Sequence, residues 1–90
     1  MKTLLIGYDL NKSGQNYDEL IEQLKSYSKW WHYLDSTWLI KTDDDHKKVR
    51  TDLRALIDSN DELLVIDVSG DAAAWAGFSD RAGTWLKENL

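Results

Sequence analysis

The ten residues from Lys2 to Asn11 constrain the fold more than any other stretch of the chain. They are apolar, rich in β-favouring side chains, and end on one carboxylate followed by a polar loop. Read as a strand, Leu4, Ile6, Tyr8 and Leu10 point one way and Thr3, Leu5, Gly7 and Asp9 the other. The even set predicts a core face. The odd set is thinner, leaves room at Gly7 for a close neighbour, and delivers Asp9 at the carboxyl end of the strand.

Elements that can pack on this strand follow in order. Asn11 to Asn16, with Gly14, reads as a loop, and Asn16 with Glu19 as an N-cap and its return partner. Leu20, Ile21, Leu24 and Tyr27 then form one stripe of an amphipathic helix. The aromatic run Trp30–Leu34 and the run Thr37–Lys41 flank Asp35-Ser36. This is either one long strand with a bulge or, as preferred here, a tight hairpin with Trp38 and Ile40 as its core pair. Thr42 to Asp45 resembles a capping box ahead of a second stripe, Val49, Leu53, Leu56 and Ile57.

Glu62–Val68 is a near-continuous apolar strand, with Leu64, Ile66 and Val68 on one face and Leu63, Val65 and Asp67 on the other. Beyond Ser69-Gly70-Asp71, residues Ala72–Phe78 read as a short helix or an extended arm. Ser79-Asp80 then caps a last helix to Leu90, anchored by Trp85 and Leu86 and weakened by Gly83.

Strand, helix, strand, strand, helix, strand is the order of an α+β, ferredoxin-like βαββαβ sandwich. The expected division is a single domain over 1–90, with the core in 1–68 and a C-terminal extension in 69–90. The expected core is Leu4, Ile6, Leu20, Leu24, Trp38, Leu53, Ile57, Leu64 and Ile66. Two helices on one sheet face leave the other bare, with Leu5, Val65 and Leu39 on it. The tail or a second subunit is the natural cover, which predicts a homodimer packed through the open face.

Composition narrows the chemistry. The absence of cysteine removes disulfides, thiolate metal sites and thiol nucleophiles. With no leader-like segment and no apolar run of about 20 residues, a soluble cytoplasmic protein without a membrane partner is expected. A net charge of −5 argues against loose, charge-driven binding to nucleic acid, although Lys47, Lys48, Arg50 and Arg54 form a basic cluster.

Among carboxylates, Asp9 reads as a metal ligand or as a strand-end cap. Asp67 falls on the same predicted face but at the other end of strand one, and reads as a structural or interface residue. Asp43-Asp44-Asp45 suits a solvated helix start and also admits a metal reading. His32 reads as part of the aromatic cluster, His46 as a helix-surface residue, and Ser36, lacking a base, as turn chemistry.

Three short motifs carry a family resemblance. Tyr8-Asp9-Leu10 resembles the tyrosine–aspartate motif of the small CRISPR-associated adaptation proteins, the second of the two core components. Leu24-Lys25-Ser26-Tyr27 resembles the close of their first helix, and Ser36-Thr37-Trp38 their serine–valine–aromatic strand. The virulence-associated protein D ribonucleases share the scaffold, and the overall look is closest to SinR-like small bacterial relatives. The resemblance covers Met1 to about Val68. It implies a homodimer in which Asp9 of each subunit approaches the two-fold, binds Mg²⁺ or Mn²⁺ and serves as the catalytic residue of an endonuclease acting on RNA or DNA. This chain departs from the pattern: no arginine pair follows Asp9, and Leu34 stands where a glutamine precedes the motif serine. The expectation is therefore a catalytically weak or silent dimeric scaffold with a protein or nucleic-acid partner, and the metal-dependent endonuclease is the alternative.

Overall fold

The computed structural model describes residues 1–11 and 17–90, so the expected cap at Asn16 lies outside the described residues. The chain is a small α+β domain of strand β1 (Lys2–Asp9), helix α1 (Asp18–Lys25), strands β2 (Lys29–Leu34) and β3 (Thr37–Thr42), helix α2 (His46–Arg54), strand β4 (Glu62–Asp67) and helix α3 (Asp80–Asn89). The four strands form one antiparallel sheet in the order β2-β3-β1-β4.

Alternation in β1 works as expected. Leu4 and Ile6 meet Trp38 and Ile40 of β3 with Leu20 and Leu24 of α1 and Val49 and Leu53 of α2, all eight fully buried. Burying side chains of this size contributes about 1.5–3 kcal/mol each, so this layer dominates stability. Trp38 is its largest member; its indole N–H donates to the Tyr8 hydroxyl at 3.0 Å, and the His32 ring stacks on it with centroids 3.8 Å apart. The structure gives the hairpin and not one long strand. Asp35-Ser36 turns a hairpin, and β2 also slips register between Trp31 and Leu34.

The faces of β4 are the reverse of expectation. Leu63 and Val65 pack against the helix-side core, while Leu64 and Ile66 are 56% and 43% exposed on the opposite face. The cause is register: Ile6 lies opposite Val65 and Gly7 opposite Leu64, so the even positions of β1 share a face with the odd positions of β4. The assignments of Leu64 and Ile66 to the core and of Val65 to the open face are corrected accordingly. Leu56 and Ile57 pack on the core from the turn after α2 and not from the helix itself. Asp45 caps α2 by accepting from the Lys48 amide at 2.8 Å, and Thr42 accepts from the Asp44 amide, so the box begun at Thr42 resolves into a turn followed by a cap.

Residues 71–79 form an arm without helix or strand that carries α3 onto the second sheet face. The chain turns at Gly70, whose φ of 73° favours glycine, with the Asp71 amide bonded to the Val68 carbonyl. Ser79 caps α3 through the Ala82 amide. Ala82 and Leu86 then bury Trp31 and Leu39, with Leu5, Val68 and Phe78 beside them. Gly83 has a packing reason: a Cβ there would lie 3.1 Å from the Trp75 indole nitrogen. The Trp31 indole donates to the Ala82 carbonyl, and Lys41 and Thr3 both donate to the Asn89 carbonyl at the end of α3. No helix among the described residues is long and apolar enough to cross a membrane.

Candidate functional site

The extension covers only part of the second face. Over β2, β3 and half of β1 lie α3 and the arm; over the β1–β4 end nothing lies among the described residues. That end carries Gly7 and Asp9 from β1 and Glu62, Leu64 and Ile66 from β4. A shallow groove of about 450 Å³ runs there, lined by Gly7, Asp9, Ser36, Thr37, Glu62 and Leu64 among others. The space expected at Gly7 is present: an added Cβ would touch only Leu5, at 3.9 Å.

Asp9 is exposed and sits directly opposite Glu62 in the β1–β4 ladder. Like charges opposite each other weaken a sheet unless solvent or a cation screens them. Next to this pair, Asp61 is tied into the scaffold. Its carboxylate accepts from the Asn11 amide at 2.7 Å, the Tyr17 hydroxyl at 2.8 Å and the Asp58 amide at 2.7 Å, joining the ends of β1, α1 and the turn before β4. Asp61 is thus a structural knot that holds the acidic corner in place.

The other carboxylates separate from Asp9. Asp67 lies opposite Leu4, on the helix side, so its placement on the face of Asp9 is corrected by the same register. Hydrogen bonds from Ser69, side chain and then amide, hold its carboxyl below the ordinary value. Asp43, Asp44 and Asp45 belong to the start of α2, where the Lys48 amide lowers the Asp45 carboxyl. Among the described residues no group of three or more histidine, cysteine or carboxylate side chains converges as a metal site. His46 is exposed on α2, and Ser36 lies in the hairpin turn with its carbonyl accepting from the Tyr8 amide.

No family model, curated protein or solved structure matches this chain.

Two chemistries share the uncovered end. Asp9 and Glu62 present two carboxylates on one face, a donor set compatible with Mg²⁺ or Mn²⁺ that keeps most of its waters. Beside them Leu64 and Ile66 form an apolar strip on β4, an edge strand with one side of its backbone unpaired within the sheet. Sequence reading missed Glu62 as the neighbour of Asp9. The signal lay in parity: once β1 and β4 pair with Ile6 opposite Val65, Asp9 must face Glu62.

Proposed function

We propose that this chain is a small homodimeric interaction module on a ferredoxin-like βαββαβ scaffold, catalytically weak or silent, that pairs with a second copy along β4. The observation that carries this reading is the exposure of Leu64 and Ile66 on the edge strand, on the one part of the sheet that α3 leaves uncovered. The strand order β2-β3-β1-β4 with α1 and α2 on one face supports the scaffold.

A second copy is the occupant that the sequence of β4 suits. Antiparallel pairing about a two-fold at Val65 sets Leu64 opposite Ile66 of the other copy, twice, on the same face. Glu62 then meets Val68 and Asp67 meets Leu63, so no carboxylate opposes another. Kinship with the CRISPR-associated adaptation proteins would agree with a dimer, and rests on the three motifs alone.

Leu64→Lys tests the reading. A buried unpaired charge costs several kcal/mol, enough to separate a small interface. Size-exclusion chromatography with light scattering should give a dimer for the wild type at micromolar concentration and a monomer for the variant, with circular dichroism unchanged. A wild-type monomer at high concentration, or a variant that stays dimeric, contradicts it.

A second reading is favoured by the Asp9–Glu62 pair: a divalent-metal-dependent endonuclease. Asp9, with Glu62, would hold Mg²⁺ or Mn²⁺. Such a metal, when bound, supplies polarisation of a phosphodiester and an activated water. Metal-dependent cleavage of RNA or DNA by the purified protein, abolished in Asp9→Asn with the dimer intact, would establish this reading and remove the silent one.

A further inference from the structure

A cleft of about 570 Å³ follows the free edge of β2, at the end of the sheet opposite the acidic corner. Its lining gathers Trp30, His32 and Tyr33 from β2 and Trp85 from α3, together with the cations Lys29 and Arg81. No carboxylate is among its described lining residues, in a chain with 16 acidic and 11 basic side chains. Neither Lys29 nor Arg81 forms an ion pair among the described residues.

Trp30 and Tyr33 are exposed but held, while His32 and Trp85 are half-buried. Trp30 is 40% and Tyr33 46% exposed, although burial would be the default for rings of this size. Trp30 packs on Trp38 with centroids 5.4 Å apart, and Lys25 stands 5.5 Å from its ring centre. Tyr33 packs on Trp31 at 5.2 Å. A ring fixed against a neighbour and still open to solvent, as Tyr33 is, makes one of the preorganised platforms of such a cleft, whereas Trp30 has Lys25 over its ring. A flat π-system stacking on such platforms would lose little side-chain entropy on their account. The cations beside them supply the charge that a phosphate backbone requires.

We infer that this cleft binds single-stranded nucleic acid on its α3 side, with bases stacked on Tyr33 and Trp85 and phosphates held by Lys29 and Arg81. Exposed aromatic platforms interleaved with cations are the general solution for holding unpaired bases without reading their sequence. A duplex hides its base faces and would meet the net negative charge of the rest of the surface. The inference names a partner for the interaction module proposed above and rests on that reading only for the role of the complex. Its site and the β4 contact lie on opposite sheet edges, so each can fail alone.

The test is fluorescence anisotropy with labelled oligothymidylate and oligouridylate of about ten nucleotides, and with a duplex of equal length. The single strands should bind, more weakly as salt rises, and the duplex at least about tenfold less tightly. Tyr33→Ala and the double variant Lys29→Glu with Arg81→Glu should each weaken binding about tenfold. All three substituted residues are exposed, and light scattering and thermal melting should show the wild-type assembly and fold retained. Binding of either polymer supports the site and indicates which sugar it prefers. No binding of either strand, equal binding of the duplex, or unchanged affinity in the charge-reversed variant would overturn it.

Discussion

The two faces of the sheet are built by different means. On the helix side, α1 and α2 close over Leu4, Ile6, Trp38 and Ile40, and the eight residues at the centre of that core are fully buried. On the other side, one ten-residue helix on an irregular arm covers Trp31 and Leu39 and stops short of Leu64 and Ile66. The first face makes the fold. The second is a partial cover fastened at a few points, chiefly the Trp31–Ala82 bond and the Lys41 and Thr3 bonds to Asn89. A surface closed in this piecemeal way has room left for partners.

Loss of equivalent anchors should affect the two faces very unequally. Trp38→Ala should cost about 3–5 kcal/mol, a large share of what so small a domain has, and leave little folded protein in a urea titration. Leu86→Ala on α3 should cost about 2 kcal/mol and loosen that helix while β1, β3, α1 and α2 persist by NMR. Equal global loss from both would mean that the two faces form one cooperative layer.

The helix caps separate the faces by pH. Ser79 caps α3 with a hydroxyl, so Ser79→Ala should cost about 1 kcal/mol whatever the pH. Asp45 caps α2 with a carboxylate held below its ordinary value by the Lys48 amide. Its folded form favours the charged state, so its contribution is present above the ordinary carboxylate range and disappears as pH falls through the lowered value. The difference in urea midpoint between wild type and Asp45→Ala should therefore shrink in acid, while the Ser79→Ala difference stays.

The smallest effect expected is at Gly83. Alanine there gains helix propensity, up to about 1 kcal/mol, but its methyl group presses on the Trp75 indole. Trp75 lies on the exposed arm and can yield, so Gly83→Ala should stabilise slightly and shift the Trp75 indole N–H resonance. A clear loss of stability would mean the arm is held more rigidly than the partial cover described.

The helix-side face was legible because polar residues interrupt its elements. Thr3, Gly7 and Asp9 mark the parity of β1, and the stripes at Leu20, Leu24, Val49 and Leu53 mark the helices. Parity in β4 was not legible. Leu63-Leu64-Val65-Ile66 is apolar on both faces, and only its register with β1 decides which pair is buried. The same register sets Glu62 opposite Asp9 and turns Asp67 to the helix side, so half of the acidic corner was hidden for the same reason. Asp9 stood out because a lone carboxylate closing an apolar strand is visible without a partner. The Ser79 cap was visible as local chemistry, whereas the packing of Trp75 over Gly83 depends on the path of the arm.

Native-state hydrogen exchange measures the contrast between the faces most directly. Amides of β1 and β3 should exchange only through global unfolding, at the full stability of the domain. Amides of α3, such as those of Gly83 and Leu90 bonded to Ser79 and Leu86, should exchange through a local opening of clearly lower free energy. Protection of α3 equal to that of β1 and β3 would contradict the account, because α3 would then belong to the same cooperative core as the helix-side face.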